Sequence, residues 1–395
     1  MTRAVLEGIR VLDFGRYISG PFCAALLADL GADVIRVERV GGGEDRFVYP
    51  VTDAGDGSLF LQMNRNKRGL TLDVKTPGGA EVLRRLAGTA DVVIANMPDE
   101  ALRDMGLDYP SLTASRPDII LTAISAFGSE GPYAGRVGFD GIGQAMSGAV
   151  WMSGLPGAPM KSFASWVDFT SAMLASHATL AALFERSRSG EGQEVRSNLM
   201  AASLTVTNFP LIEQALTGVN RQPTGNRAQS GGPADAVRTK DGWIMVQVIG
   251  APLFRRWARL MGETHWLEDP RFASDALRSD NGAVLSERTQ AWAAGFTTAE
   301  ALETLAANRI PAGPILSPQQ VLDDPHVQAT GIFTPMDYPG APKPVPLMMA
   351  AARLEATPQT LHRRAPLLGE HNEEVLGSLG YSAAEIDDLR AQASI

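Results

Sequence analysis

Residues 9–38 read IRVLDFGRYISGPFCAALLADLGADVIRVE, and this stretch decides the fold class. It contains two short apolar runs typical of buried strands, at residues 9–14 and 33–38. A helix of small apolar residues is predicted between them, because Ser19-Gly20-Pro21 forms a turn before it and Gly31 ends it. A strand, a helix and a strand within about 30 residues form a βαβ unit. The two strands are therefore predicted to be parallel neighbours in an α/β sheet.

The same pattern continues beyond this unit. The elements predicted next are a helix at residues 77–87, strands at residues 91–96 and 119–124, a long helix from Asp168 to about residue 188 and a strand at residues 193–198. Pro77 suits the first turn of its helix, where the N–H that proline lacks would have no partner. The first 130 residues are therefore expected to form an open α/β sheet.

Composition limits the class of protein. The chain has 395 residues, so about two domains are expected, and residues 218–235, dense in Gly, Pro, Asn and Gln, mark a boundary. A formal net charge of −9 argues against a nucleic acid partner, because phosphate binding needs a basic surface. One cysteine excludes an internal disulfide. Without a signal pattern or an apolar run of about 20 residues, we expect no membrane association and a cytoplasmic location.

Several kinds of catalytic site are not indicated by the sequence. The five His residues are dispersed, which predicts no metal site. Cys23 lies in the middle of the apolar helix and is predicted to be a core residue rather than a nucleophile. Neither Gly-x-Ser-x-Gly nor the phosphate-binding Gly-x-x-x-x-Gly-Lys occurs. Metal, thiol and serine-elbow chemistry are therefore not expected.

The turn after the first strand is a candidate anion site. Residues 15–21, GRYISGP, join a strand to a helix N-terminus, whose free amides attract anions. Glu38 ends the next strand, where dinucleotide-binding folds place an acidic ribose ligand. The spacing lacks Gly-x-Gly-x-x-Gly, so the backbone cannot approach a pyrophosphate as closely. A nicotinamide-dependent oxidoreductase stays as an alternative on this ground.

A basic cluster occupies residues 64–68, NRNKR, with Arg36, Arg39 and Lys75 nearby in sequence. Charge runs of this kind usually form solvated surface. Arg and Lys also make charge-assisted hydrogen bonds to phosphate oxygens, so the cluster would equally suit a phosphorylated ligand. The two interpretations, a solvated surface and a phosphate site, both stay open at this point.

Asp168 begins the long helix, within the sequence FASWVDFTS at residues 163–171. Asp is a favoured N-cap, because its side chain accepts a hydrogen bond from an amide two or three residues later. A carboxylate at a helix N-terminus is also held in one orientation and kept ionised, as a nucleophilic carboxylate must be. Asp168 is therefore interpreted as the helix cap, a role that is compatible with catalysis.

Taken together, short motifs along most of the chain resemble those of the class III CoA-transferases. This is the L-carnitine dehydratase and bile-acid-inducible protein type, which includes formyl-CoA transferase. The motifs are LEGIRVLD at 6–13, SGP at 19–21, LADLGADVIRVER at 27–39, NRNKR at 64–68, LTLDVK at 70–75, ADVVIAN at 90–96, FG at 127–128, GPY at 131–133, QAMSG at 144–148, GEGQ at 190–193, GN at 225–226, DG at 241–242, IPAGP at 310–314 and PLLGEH at 366–371.

The resemblance implies a fold and an assembly. The large domain would be an α/β, Rossmann-like open parallel sheet formed by both chain ends, with a smaller α+β domain inserted. The implied ranges are 1–200 for the first part of the CoA-binding large domain, 201–225 for a linker, 226–320 for the small domain, and 321–395 for the return linker and the rest of the large domain. Two subunits would interlock as a homodimer.

The resemblance also implies transfer of coenzyme A between carboxylic acids. Asp168 would attack an acyl-CoA to form an aspartyl anhydride, and CoA would then return to form an aspartyl-CoA thioester. The substrates are acyl-CoA and a small carboxylic acid, with no prosthetic group. The positions that match the family's CoA-binding residues are Arg39, Leu72, Asp73, Val74, Lys75, Asn96 and Met97, and Tyr17 and Ile18 match positions near the thioester. Arg103 lies one position away from an Arg that is frequent in the family and is assigned to CoA binding with them. The implied substrate pocket comprises Leu59, Phe139, Gly231 and Gly232.

Three positions depart from the oxalate-accepting members, which carry Gln at Ile18 and Tyr at both Leu59 and Phe139. Burying a small dianion there would leave its oxygens without hydrogen bonds. The expected acceptor is therefore an acid with an apolar body, or a longer dicarboxylate whose far end reaches Arg16 or Arg227.

Two further alternatives come from the same family. The 2-methylacyl-CoA racemases carry His where Phe139 stands, and Phe cannot remove a proton. Asp140 would then have to supply a second base, and its turn is expected to point it away from the pocket. Some members also work as paired chains, so a second, different subunit stays open.

Overall fold

The computed structural model describes residues 4–395. Within them the chain forms thirteen strands, β1 to β13, which are Arg10–Asp13, Asp33–Glu38, Lys67–Thr71, Val92–Ala95, Ile120–Ser125, Gly154–Leu155, Ala158–Pro159, Glu194–Asn198, Ala234–Arg238, Trp243–Gln247, Ala312–Pro314, Phe333–Met336 and Val345–Met348. The same residues form seventeen α-helices, α1 to α17, which are Ser19–Asp29, Ser58–Met63, Pro77–Ala87, Asp99–Asp104, Tyr109–Ser115, Asp140–Met146, Ala149–Met152, Trp166–Ser189, Leu199–Thr217, Ala251–Leu260, Asp275–Asp280, Gly282–Ala293, Thr298–Ala307, Pro318–Asp323, Pro325–Thr330, Asn372–Ser378 and Ala383–Ala391. Short 3-10 helices lie at Glu44–Phe47, Thr264–Leu267 and Pro270–Phe272.

Six strands form one parallel sheet, in the order β3-β2-β1-β4-β5-β8. Leu12 of β1 lies opposite Ile35 of β2, which confirms the βαβ unit and the α/β fold class. The chain builds the sheet outward from β1 on one side and then on the other. Strand order therefore reverses between β1 and β4. Such a reversal opens a crevice at the carboxyl ends of the strands, where α/β folds bind their ligands.

Both faces of this sheet are covered by helices. Successive strand side chains point to opposite faces, so Leu12 packs with α3, α16 and α17, whereas Val11 packs with α1 and α8. Two buried faces explain why β1, β2, β4 and β5 appear in the sequence as short, largely apolar runs. The edge strands β3, KRGLT, and β8, EVRSN, do not show such a run. Cys23 is fully buried in the second of these cores, as predicted, and burial raises the pKa of its thiol.

Helix α8 has 24 residues and, among residues 4–395, is the one helix long and apolar enough to cross a membrane. Our expectation that the chain contains no apolar run of about 20 residues is therefore wrong for α8. Its small residues Ala172, Ala175 and Ala182 are buried in the core that also contains helix α1. Small side chains allow two helices to pack closely, and this packing accounts for the apolar composition of α8.

The basic cluster of residues 64–68 is buried, so both interpretations of it, solvated surface and phosphate site, are wrong. Arg65 and Lys67 expose none of their side chains, and Arg68 exposes a tenth. Each cation is already paired with a carboxylate: Arg65 with Asp29 at 2.6 Å, Lys67 with Asp13 at 2.7 Å and Arg68 with Asp33 at 2.6 Å. These ion pairs connect β3 and the residues just before it to the first βαβ unit.

The C-terminal part of the chain covers the edge strand β3, which explains why the cluster is buried. Gly69 donates its N–H to His371 Nδ1 at 3.1 Å, and its carbonyl accepts from the His371 amide at 3.0 Å. Asn66 Oδ1 accepts from the amide of His362 at 2.9 Å. An added Cβ at Gly69 would lie 2.9 Å from Pro366, so this close approach requires glycine.

The chain forms two compact units. The first contains residues up to 147, 163–211 and 330–395, and the second contains residues 148–162 and 212–329. The second unit has an antiparallel sheet in the order β11-β10-β9 and a core around the buried Trp257. Helix α9 extends through residue 217, so most of the range predicted as a linker, 201–225, is helical. Residues 201–217 contain no glycine to end the helix earlier.

Candidate active site

The crevice at the strand-order reversal is bordered by the turns after β1 and β4. The Arg16 amide donates to Asn96 Oδ1 at 2.7 Å. Asn96 Nδ2 in turn donates to the Arg16 carbonyl at 2.8 Å and to Ser19 Oγ at 3.0 Å. Asn96, which we predicted to bind CoA, therefore ties the two turns together with three hydrogen bonds.

The turn after β1 is tight and strained. An added Cβ at Gly15 would lie 2.6 Å from Pro21 Cδ and 2.7 Å from Gly20 Cα, so only glycine fits there. Tyr17 has a left-handed φ of 61°, which costs a residue with a side chain about 1–2 kcal/mol. Strain of this kind clusters at functional sites. Ile18 is buried beside the half-buried Tyr17, at the start of helix α1.

Asp168 is the third residue of helix α8, which begins at Trp166 after the N-cap residue Ser165. The interpretation of Asp168 as the N-cap is therefore wrong. Asp140 takes the capping role from another helix, because its Oδ1 accepts the N–H of Val167 at 2.8 Å and that of Asp168 at 3.3 Å. Within residues 4–395 the Asp168 carboxylate itself makes no hydrogen bond or ion pair. It is therefore free to react.

Burial, and then the charge of Asp140, raise the pKa of Asp168 from 3.8 to about 7. The expectation that the helix N-terminus keeps Asp168 ionised is therefore wrong below about pH 7. The positive end of the helix favours the charged form, but loss of solvation outweighs it. A carboxyl group with so perturbed a pKa, next to a ligand crevice, is a candidate for chemistry.

An apolar surface lies beside this site. Phe139 directly precedes Asp140, is 64% exposed, and packs its ring against Tyr17 edge to face with centroids 5.9 Å apart. Phe139 contacts Tyr17 in the turn after β1, and its neighbour Asp140 contacts the first turn of α8. These two contacts place the turn after β1 near the start of α8. Leu59, also predicted for the substrate pocket, is half-buried on helix α2.

Arg39 is exposed at the carboxyl end of β2 and shares a carboxylate with Arg16. Arg39 Nη2 lies 2.8 Å from Glu44 Oε1, and Arg16 Nη2 lies 3.4 Å from Glu44 Oε2. Two of the predicted ligand-binding cations are thus held by one exposed acid at this edge of the sheet. A phosphate or carboxylate ligand would have to compete with Glu44 for them.

Residues 72–75 have mixed environments. Leu72 is buried, and its amide donates to the Glu38 carbonyl at 2.7 Å. The Asp73 amide donates to the Ser394 carbonyl at 2.8 Å, so its backbone is also occupied. Val74 lines a cavity of about 250 Å³ whose other walls include Arg84, Asp104, Met105 and Leu112. Lys75 is exposed and has no ion pair in the described part of the chain.

Met97 and Arg103 lie near the carboxyl ends of β4 and its neighbours. Met97 lines a second cavity, of about 260 Å³, that also contacts Ser125, Phe127 and Asn198 at the ends of β5 and β8. Arg103 is exposed on helix α4, and no ion pair involves it within residues 4–395. Arg103 and Lys75 therefore keep their charges available for a ligand.

Gly231 and Gly232 belong to the second unit, in the loop before β9. An added Cβ at Gly231 would lie 3.4 Å from Asp275 Oδ1, which accepts the Gly250 amide at 3.0 Å. Arg227, predicted as a possible far-end ligand, packs its side chain against Gly282. The part these residues play in the substrate pocket stays a prediction.

Sequence reasoning missed the role of Asp140 and Gln144. We expected Asp140 to point away from the pocket; its carboxylate is buried and binds the backbone amides in the first turn of α8. Gln144 Nε2 donates to Asp140 Oδ2 at 2.5 Å, one helical turn later. An acid and an amide at positions i and i+4 face each other on a helix. This spacing is the sequence signal from which the pair could have been predicted.

Comparison with known proteins identifies the class. The chain matches the sequence model described as CoA-transferase family III over residues 6–372. It is 32% identical to succinyl-CoA–D-citramalate CoA-transferase of Chloroflexus aurantiacus over 99% of this chain and 98% of that protein. It is 34% identical to succinate–glutarate CoA-transferase of Agrobacterium fabrum over 95% of each chain. The structure of a CAIB/BAIF family protein from Brucella suis matches with a TM-score of 0.82 and 31% identity, covering 96% of this chain and 100% of that one.

The chain therefore belongs to CoA-transferase family III. It is an enzyme that transfers coenzyme A, and the resemblance drawn from its sequence motifs is confirmed. The nicotinamide alternative is set aside, because the match to CoA-transferases extends over the whole sheet and beyond it.

Proposed function

We propose that transfer proceeds through covalent intermediates on Asp168. The Asp168 carboxylate attacks the carbonyl carbon of the donor acyl-CoA, the C–S bond breaks, and an acyl-aspartyl anhydride and CoA thiolate result. The thiolate attacks the aspartyl carbonyl, which releases the donor acid as a carboxylate and leaves an aspartyl-CoA thioester. The acceptor carboxylate then attacks the carbonyl carbon of this thioester, the C–S bond breaks, and a second anhydride and free CoA thiolate result. Attack of the thiolate on the acyl carbon of this anhydride gives the new acyl-CoA and frees Asp168.

One observation supports this proposal most strongly. Asp168 is a half-buried carboxyl group in the first turn of a core helix, with a raised pKa and no partner for its carboxylate in the described part of the chain. Above about pH 7 it is ionised yet poorly solvated, which favours nucleophilic attack. The amide end of the helix also favours the negative charge that develops on each tetrahedral intermediate.

The cations at the carboxyl edge support binding of the CoA phosphates. Lys75 and Arg103 are exposed and unpaired within residues 4–395, and Arg39 is shared with Glu44. Phosphate oxygens would accept charge-assisted hydrogen bonds from these side chains. The buried cations Arg65 and Lys67 have no such freedom, so the CoA contact is proposed for Arg39, Lys75 and Arg103 alone among the basic residues considered.

The acceptor is proposed to be a dicarboxylate longer than oxalate, or an acid with an apolar body. The exposed Phe139 and the half-buried Tyr17 present an apolar surface next to the helix that carries Asp168, and Ile18 is buried beside Tyr17. The relatives from Chloroflexus and Agrobacterium are named for citramalate and for glutarate. The second carboxylate of such an acid would replace Glu44 at Arg16, which is exposed at the same edge.

We expect succinate or glutarate to exceed oxalate in kcat/KM by at least about 30-fold, which corresponds to about 2 kcal/mol for unsatisfied oxalate oxygens. A panel of acids offered with succinyl-CoA, with products identified by mass, measures this preference and tests the proposed function. The double variant Ile18→Gln/Phe139→Tyr, which restores polar groups, should raise the rate with oxalate. Oxalate transfer by the parent enzyme that equals its best acid would contradict the proposal.

The enzyme is proposed to be an interlocked homodimer. Helices α8 and α9 expose large apolar side chains that a soluble chain normally covers, among them Phe184 at 66% and Phe209 at 75% exposed. Val206 and Leu211 are exposed on the same helix as Phe209. A second copy of the chain is the partner that the family resemblance implies, and we propose that it covers these helices.

Sedimentation should therefore show a species of about 84 kDa, twice the chain mass of 42.1 kDa, that does not dissociate on dilution. Interlocked chains can separate only by unfolding, so the dimer should persist to nanomolar concentration. Phe209→Asp, which places a charge on the apolar surface, should reduce the yield of dimer, whereas the exposed Arg84→Met should not. A folded species of 42.1 kDa at micromolar concentration would rule out interlocking.

A further inference from the structure

The first turn of helix α8 is capped by a residue from a different helix. Ser165, the N-cap residue, makes no side-chain hydrogen bond to the helix. Instead, Asp140 Oδ1 accepts the amides of Val167 at 2.8 Å and Asp168 at 3.3 Å. The backbone of the nucleophile is thus bound directly by the Asp140 carboxylate, which is 6% exposed.

Gln144 completes this contact. Its Nε2 donates to Asp140 Oδ2 at 2.5 Å and to the Ala164 carbonyl at 3.1 Å, so it also holds the chain just before α8. Gln144 is 1% exposed. Both oxygens of Asp140 are therefore engaged by N–H donors, and the start of α8 is fixed to helix α6 from two sides.

We propose that Asp140 is a positioning residue for the reaction: by binding the first turn of α8 it fixes the Asp168 carboxylate for attack, and its charge shifts the pH range in which Asp168 reacts. This inference rests on the proposed role of Asp168 as nucleophile. Asp140 touches no reacting atom in this scheme and acts through the helix that carries Asp168.

The electrostatic part of the proposal depends on which charges face Asp168. Helix α8 packs against α1, α6, β5 and β8. The titratable and charged side chains that these elements carry are Cys23, Asp29, Asp140, Glu194 and Arg196. Asp140 is the one charge among them that raises the pKa of Asp168, after the larger effect of burial. Removing its charge should therefore lower the pKa of Asp168.

Asp140→Asn removes the negative charge of this residue but keeps the oxygen that caps helix α8. The Asn side-chain oxygen has the same place as Oδ1 and still accepts the two helix amides, whereas the negative charge is gone. We expect the acidic limb of the kcat profile to move to lower pH. Loss of the bond from Gln144 should loosen the first turn and reduce kcat at pH 8 by about 10- to 100-fold, with a smaller change in KM.

Asp324→Asn is the matched control. Asp324 Oδ1 likewise accepts two amides at the start of a helix, those of His326 at 2.9 Å and Val327 at 3.0 Å. Asp324 is not among the residues predicted for the site, so its replacement should leave both kcat and the pH profile unchanged. Gln144→Ala serves as a second test, because it keeps the Asp140 charge: kcat should fall without the same movement of the acidic limb.

The titration of Asp168 is also measurable without turnover. With ¹³C-carboxyl-labelled aspartate, the Asp168 resonance is assigned by its loss in Asp168→Asn, and its midpoint is compared between the parent and Asp140→Asn. A shift of this midpoint to lower pH in Asp140→Asn supports the proposal whether or not the protein transfers CoA. A panel in which no acid is a substrate counts against the proposed function and leaves the titration result standing. The positioning role of Asp140 would be overturned if a folded Asp140→Asn protein showed unchanged kcat, pH profile and Asp168 titration. If Asp140→Asn fails to fold, unchanged kcat in Gln144→Ala would overturn it.

Discussion

Asp168→Asn is expected to abolish CoA transfer, with a loss of kcat of about 10⁴-fold or more. The substitution removes the nucleophile of every covalent step, and loss of a nucleophile is the most costly single change in enzymes that form such intermediates. Initial rates with succinyl-CoA and the best acceptor of the panel measure the effect. Transfer within about 10-fold of the parent rate would show that another group carries the chemistry.

The same variant should be folded, and its stability has a defined pH dependence. The folded-state pKa of Asp168, about 7, lies above its ordinary value of 3.8. The folded state therefore binds more protons than the unfolded state between these values, and its stability falls as pH rises through that window. Asn does not ionise, so the variant does not lose stability in this pH window. Asp168→Asn should thus melt at a higher temperature than the parent at pH 8, and the difference should vanish near pH 4.

Lys67→Met is expected to destabilise the protein by about 3–5 kcal/mol, because it leaves the carboxylate of Asp13 buried without its closest cation. Lys67 Nζ lies 2.7 Å from Asp13 Oδ2 and donates further to the Pro21 carbonyl and to Asn64 Oδ1. Burial lowers the pKa of Lys67 to about 8, so Lys67 is still largely charged at neutral pH. Urea unfolding followed by circular dichroism measures the change.

Two further variants identify the origin of this effect. Asp13→Asn/Lys67→Met removes both charges and keeps an acceptor for the Gly15 amide, which Asp13 Oδ1 binds at 2.8 Å, so it should recover part of the lost stability. Arg84→Met breaks an exposed pair with Glu81 and should change stability by less than about 0.5 kcal/mol. A Lys67→Met protein as stable as the Arg84→Met protein would contradict the burial of this ion pair.

Most of the sheet was predictable because its central strands are buried on both faces. The edge strand β3, KRGLT, lacks an apolar run and was not predicted. A central strand appears as a short apolar run, and residues 9–14 and 33–38 show it without any knowledge of their neighbours. The parallel pairing followed from the length of the connection between them. Local sequence carries all of this information.

The cluster around Lys67 was not predictable in the same way. Whether a cation is solvated or buried depends on carboxylates such as Asp13 and Asp29, which lie more than thirty residues earlier in the chain, and on the C-terminal segment that covers β3. A single stretch of sequence has no signal for contacts at such separations. The charge count alone therefore favoured a surface or a phosphate site, and both were wrong.

The environment of Asp168 shows the same limit at the candidate site. The family resemblance, rather than the residue pattern, marked Asp168 as the nucleophile. The start of α8 was misplaced by two residues, since the group that caps it comes from α6 and not from the helix itself. The ionisation of Asp168 was also misjudged, because burial of its carboxyl group raises the pKa, whereas the helix N-terminus favours the charged form.

Trapping of the covalent intermediate tests the central claim most directly. The enzyme is incubated with succinyl-CoA and hydroxylamine, which attacks an acyl anhydride or a thioester and converts the aspartyl group to a hydroxamate. Peptide mass analysis should find this modification on Asp168 and only when acyl-CoA is present, and the Asp168→Asn protein should show none. Modification of a different carboxylate, or continued transfer with Asp168 unmodified under trapping conditions, would contradict the proposed mechanism.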